Sequence, residues 1–130
     1  MGINVRWDNR DKTAVLLEFE TEWTFSDLEA AIQRIDDLIV SVSQQVDVVI
    51  DVEGARLPKD VMTMARSLVN TGEARANEGY RVVVGANNII RQGYQLLQKT
   101  FPNQLKGREI LFADDLDTAR GILRGLRQAP

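Results

Sequence analysis

The chain has 130 residues, enough for one domain with one core, and its 44% apolar and 27% charged content is that of a folded globular protein. It contains neither cysteine nor histidine, which removes disulfides, thiolate metal sites and Ser-His or Cys-His catalytic pairs and leaves carboxylates, lysines and tyrosines for any chemistry. The net charge of −3 divides into 6 Lys/Arg against 13 Asp/Glu in residues 1–60 and 10 against 6 in residues 61–130, so the basic excess that nucleic-acid binding needs is absent.

Residues 3–7 alternate apolar and polar side chains, Asp8-Asn9-Arg10-Asp11 supplies turn chemistry, and Val15, Leu17 and Phe19 alternate with Glu18 and Glu20. This predicts an N-terminal hairpin whose carboxylate-bearing side meets water. Ser26-Asp27-Leu28-Glu29 has the spacing of a capping box. Behind it Phe25, Leu28, Ile32, Ile35, Ile39 and Val42 repeat at steps of three and four, which predicts a helix over 26–43.

Residues 46–52 read as a buried strand, and Pro58 sits where a first helical turn tolerates a missing donor. In the helix that follows, Val61, Ala65, Leu68 and Val69 make an apolar face with Met62 and Met64 at its margins, and Thr71-Gly72 ends it. A polar loop runs to Gly79, a third buried strand is expected over 80–86, and Asn87 is placed to cap the next helix. That helix carries Ile90, Gly93, Tyr94, Leu97 and Phe101 on one face and stops at Pro102. Gly93 costs about 1 kcal/mol relative to alanine in a helix interior, which predicts a close approach to the sheet there. Residues 109–113 give a last strand and Asp114-Asp115 opens a last helix with Ala119, Ile122, Leu123 and Leu126 facing inward.

The expected fold is therefore α/β: a single domain over 1–130 with a mixed, mostly parallel sheet, an N-terminal β-hairpin and the order β-β-α-β-α-β-α-β-α. That order resembles the STAS domain, the fold of anti-sigma-factor antagonists and of the cytoplasmic tails of sulfate transporters. Glu22-Trp23-Thr24-Phe25, Val46-Asp47-Val48-Val49-Ile50-Asp51-Val52 and Arg81-Val82-Val83-Val84-Gly85-Ala86-Asn87 are similar to segments of its SpoIIAA-like (STAS/Sec14-like) branch. The resemblance implies a protein-interaction or signalling module. In the antagonists a kinase phosphorylates a serine at the start of the second helix. Here the serine columns fall on Asp60 and Val61, and residues 53–60 hold no hydroxyl, so the phosphoserine switch is not expected. Asp60 stands there either as a permanent charge in place of a phosphoserine or as an ordinary first-turn aspartate.

Asp51 and Glu53 lie at a strand's carboxyl end, where open α/β sheets bind ligands, but no histidine or thiol accompanies them, and capping or solvating the loop is the competing role. A receiver-domain reading of the same aspartate fails on element order. The expected partner-binding residues are Glu53, Gly54, Arg56, Lys59, Asp60, Met62 and Met64, the methionines offering adaptable apolar contact. Gly85, Asn87 and Asn88 offer backbone donors at a helix start, either a generic anion-binding or ligand-binding turn or a cap. Arg120, Arg124 and Arg127 form a narrow stripe that complements the last helix's dipole, with an acidic partner or anionic lipid as the other reading.

The whole points to a non-enzymatic cytoplasmic module with a protein partner, no cofactor, no metal, no nucleic acid and no stable membrane insertion. A homodimer through the hairpin edge or an exposed sheet face is expected as its assembly. The alternative is a small-molecule or lipid-binding domain, which requires an internal apolar pocket, whereas these apolar residues are only enough to fill the chain's own core.

Overall fold

The computed structural model describes residues 2–56, 75–100 and 110–128. Five strands form one sheet in the order β1-β2-β3-β4-β5: β1 (Ile3–Trp7), β2 (Ala14–Phe19), β3 (Val46–Asp51), β4 (Glu78–Val84) and β5 (Ile110–Ala113). β1 pairs antiparallel with β2 as a hairpin at the sheet edge, and the other pairs are parallel. Three helices lie among the described residues: α1 (Phe25–Val40), α2 (Asn88–Thr100) and α3 (Leu116–Gln128). The expected α/β class, mixed sheet and edge hairpin are thus present. The helix expected to begin at Pro58 lies outside the described residues, as do Phe101, Pro102 and the side chain of Leu97.

Register assigns the two faces. Val15 pairs with Val48, and together with Val46 they pack against Leu38 and Ile39 of α1. Leu17, Ile50, Val83 and Phe112 are successive cross-strand partners on that same face. There Phe112 meets the ring of Tyr94 edge-on, at a centroid distance of 5.7 Å. α1 and α2 therefore cover one face. The other belongs to α3, where Leu16, Val49, Val82, Val84 and Ala113 pack with Ala119 and Leu123. The central strands are consequently apolar on both sides.

That second layer corrects the hairpin expectation. Ala14 and Leu16, on the side expected to meet water, are buried because α3 folds back over them; only the far end is wet, where Glu18 pairs with Arg6. Helix α1 starts at Phe25 rather than at residue 26, with Thr24 as its cap. The Thr24 hydroxyl accepts from the Asp27 N–H at 3.1 Å, and the Asp27 carboxylate takes the Thr24 N–H at 2.9 Å. It ends at Val40 because the Asn77 side-chain amide donates to the carbonyl oxygens of Ile39, Val42 and Gln44 at 2.9, 3.1 and 3.0 Å. β4 begins at Glu78, two residues before the expected start, and stops before Gly85, whose φ of +76° leaves the extended region. Gly93 does not approach the sheet: among the described residues, no atom beyond its own stretch of helix lies within 4 Å of where its Cβ would be.

Candidate functional site

The carboxyl ends of β3, β4 and β5 form a rim, and two of the sequence-predicted segments meet on it. Asp51 ends β3 and its Oδ1 accepts the Glu53 N–H at 3.1 Å, an Asx turn that spends the carboxylate on its own backbone. Gly54, at φ +77°, then lets the chain turn, and the Ala55 N–H reaches the Val52 carbonyl at 3.0 Å. The Arg56 N–H bonds to the Thr21 carbonyl at 2.8 Å, while its guanidinium makes an exposed pair with Glu22 at 3.4 Å.

Beside this turn the Val52 N–H continues the ladder to the Val84 carbonyl at 3.0 Å, and the Gly85 N–H bonds to the Ala113 carbonyl at 3.1 Å. A Cβ on Gly85 would stand 2.7 Å from the Glu53 Cβ. The loop after β3 and the turn after β4 are thus in contact, and a side chain at Gly85 would push them apart. Asn87 caps α2, its Oδ1 accepting from the Ile90 N–H at 3.0 Å. The Gly85 and Ile90 donors of this turn are therefore already engaged within the chain. Glu53, Gly54, Arg56, Asn87 and Asn88 are exposed. Lys59, Asp60, Met62 and Met64 lie outside the described residues.

Arg91 stands behind the rim, its guanidinium 4.9 Å from the Phe112 ring centroid and 3.8 Å from the Asp114 carboxylate. Asp115 caps α3, taking the Thr118 N–H at 2.7 Å, and the backbone and side-chain hydrogen bonds from Thr118 hold its carboxyl below the usual carboxylate range. Among the described residues no group of three or more carboxylates is placed to hold a metal ion.

The arginine stripe does not form a free cationic surface. Arg120 clamps Asp8 in the hairpin turn, Nε to Oδ2 at 3.0 Å and Nη2 to Oδ1 at 2.8 Å, and that hydrogen bonding raises its pKa further. Arg127 reaches Asp47, which is 1% exposed. Arg124 and Arg127 are both exposed, but Arg127 spends its guanidinium on Asp47. The reason is topological: α3 returns across the sheet and brings Arg120 and Arg127 onto carboxylates of the hairpin turn and of β3. The sequence signal for Asp47 as a structural residue is its place as a lone carboxylate inside an apolar strand, where burial requires a partner.

No helix among the described residues is long and apolar enough to cross a membrane. Compared with protein-family models, curated proteins and solved structures, the chain matches none.

Proposed function

We propose that this chain is a non-enzymatic cytoplasmic interaction or signalling module of the STAS/SpoIIAA-like kind. It works without a phosphoserine switch and binds a protein partner at the rim formed by residues 53–56 and 85–88. The observation that supports this is the contact of Glu53 with Gly85, two exposed segments 32 positions apart in the chain that abut at the strand ends. Their hydrogen-bonding groups are largely used to hold the loops in shape, as with Asp51 for Glu53 and Asn87 for Ile90. Shape and a few exposed polar side chains are then what the rim offers, which suits recognition of a protein surface better than bond-making chemistry. Lys59, Asp60, Met62 and Met64, outside the described residues, belong to the same proposed partner-binding set.

Co-purification from the native cell with tagged wild type, Glu53→Arg and Asn88→Arg tests this reading. A protein recovered with wild type and lost with both variants, at unchanged circular dichroism, supports it. Equal recovery with all three overturns the assignment of the rim, and a small molecule found by native mass spectrometry in place of a protein chain overturns the class.

A further inference from the structure

The two edges of the sheet are not alike. At β5 the Gly85 N–H bonds to the Ala113 carbonyl, so Ile110 and Phe112 turn their backbone groups outward, and the Tyr94 hydroxyl takes the Ile110 N–H at 2.8 Å. That edge is guarded. At β1 the Glu20 N–H bonds to the Gly2 carbonyl and the Asp8 N–H to the Ala14 carbonyl, so the even-numbered residues face β2. Ile3, Val5 and Trp7 therefore direct their N–H and C=O groups away from the sheet, and among the described residues these groups have no partner. Neither proline nor a bulge interrupts the pairing from Ile3 to Trp7, so the edge lacks two of the usual devices against strand addition.

Helix α1 leaves this edge clear. Asp27 lies against Gly2 and Asp36 pairs with Arg75 just before β4, so the flank that Asp27 shares with Ala31 and Leu38 faces the β1 edge. Both are buried there, Leu38 in one cluster with Val5 and Trp7, so β1 extends past the helix. A second copy fits the edge by a two-fold axis normal to the sheet. With Val5 opposite Val5 of the second copy, Ile3 meets Trp7 and Trp7 meets Ile3, and every outward N–H finds an outward C=O across the axis. The apolar side chains of these residues meet on the α1 face. On the opposite face Asn4 stands against Arg6 of the second copy. Glu18 is the β2 neighbour of Asn4 and lies next in that row. Arg6, which pairs with its own Glu18, thus has the other copy's Glu18 within reach as well, so two arginines and two glutamates surround the axis and neither sign is left unmatched.

We infer that this chain forms a homodimer by antiparallel pairing of β1 with β1 of a second copy, centred on Val5, which joins the two sheets into one. Being isologous, the contact closes as a dimer. The inference does not rest on the partner rim proposed above, which lies at the strand ends, and it gives a register to the self-association expected at the hairpin edge.

Sedimentation velocity on the full chain, from micromolar to near-millimolar concentration, tests it. The expected result is a species of twice the 14.6 kDa chain mass. Val5→Pro removes an outward N–H without touching the ladder to β2, at a kind of position where an edge strand tolerates proline, and is expected to leave a monomer with the circular dichroism of wild type. Arg6→Glu, at an exposed position, is expected to weaken association by roughly tenfold, and adding Glu18→Arg to recover it. Cross-linking reads the register. The chain has no cysteine, so Asn4→Cys and Arg6→Cys each carry a single thiol. Across the axis the two positions form a non-hydrogen-bonded pair with Cα atoms about 4.5 Å apart, whereas each position lies beyond disulfide reach of its own copy. The two variants mixed and oxidised are therefore expected to link far more than either alone. A monomer at every concentration overturns the inference. So does a dimer indifferent to Val5→Pro and Arg6→Glu, a charge swap that fails to recover association, or a mixture that links no better than its components.

Discussion

Arg127, in the last turn of α3, donates from Nε to Oδ2 of Asp47 at 2.8 Å, and its Nη2 reaches the carbonyl oxygens of Thr13 and Gln45 at 2.7 and 2.9 Å. The other Asp47 oxygen takes the Tyr80 N–H at 2.9 Å and the Gln45 amide at 3.1 Å. A carboxylate this deeply buried is tolerated only because each oxygen is hydrogen-bonded and its charge is matched. One side chain of β3 therefore ties α3, β4 and Gln45, in the segment before β3, together. Asp47→Ala leaves three donors without their acceptor and is expected to cost roughly 2–4 kcal/mol, measured by urea unfolding. Arg127→Lys is not expected to restore the wild-type value, because an ammonium lacks the planar fork that serves Asp47 and two carbonyls at once.

Two glycines give opposite predictions. A Cβ on Gly79 would lie 2.1 Å from Oδ1 of Asp47 and 2.7 Å from Nε2 of Gln45, so Gly79→Ala must displace the carboxylate and is expected to destabilise the fold by about 2 kcal/mol or more. Gly93 stands in the middle of α2 with open space around it, and Gly93→Ala is expected to stabilise the fold by about 0.5–1 kcal/mol. Thermal unfolding of the two variants beside wild type reads both signs.

These residues also show what the sequence discloses and what it conceals. The strands were legible because their apolar runs, Val48 to Ile50 and Val82 to Val84, are too short and too β-branched for helices. The element order makes β3 and β4 parallel neighbours, so the loops that carry Glu53 and Gly85 must leave from the same end of the sheet. By its sequence Gly79 only ends a polar loop, because nothing local announces that a carboxylate from β3 will occupy the space beside it. The arginines of α3 resembled a surface stripe for a similar reason. Periodicity tells which residues share a side of a terminal helix, but not which face of the sheet that helix will cross, nor that Asp8 and Asp47 wait there, 112 and 80 positions away.

The start of α1 offers a sharper test of local reading. Thr24 with Asp27 and Ser26 with Glu29 both have the spacing of a reciprocal cap, and the structure uses the first pair. Thr24→Ala is expected to cost about 1 kcal/mol, whereas Ser26→Ala, already inside the helix, is expected to change stability by only a few tenths of a kcal/mol. Chemical denaturation of the two single variants distinguishes the caps, and an equal loss from both substitutions contradicts the observed one.

Asp115 carries a pH dependence with a definite sign. Hydrogen bonds from Thr118 hold its carboxyl below the ordinary range in the folded chain. The unfolded chain has no such donors and its aspartates titrate near about 3.9. A group whose folded value is depressed binds its proton more readily when unfolded, so its contribution is fully present above the unfolded value and is lost as pH falls through the folded one. Asp115→Asn keeps an oxygen to receive the Thr118 N–H at the start of α3 but removes the titration. Melting temperatures of wild type and variant, followed from neutral pH down into the acid range, are expected to stay parallel until the unfolded value is approached. Below it the wild type falls faster, and a constant offset across the whole range would mean that the cap hydrogen bond contributes nothing to acid sensitivity.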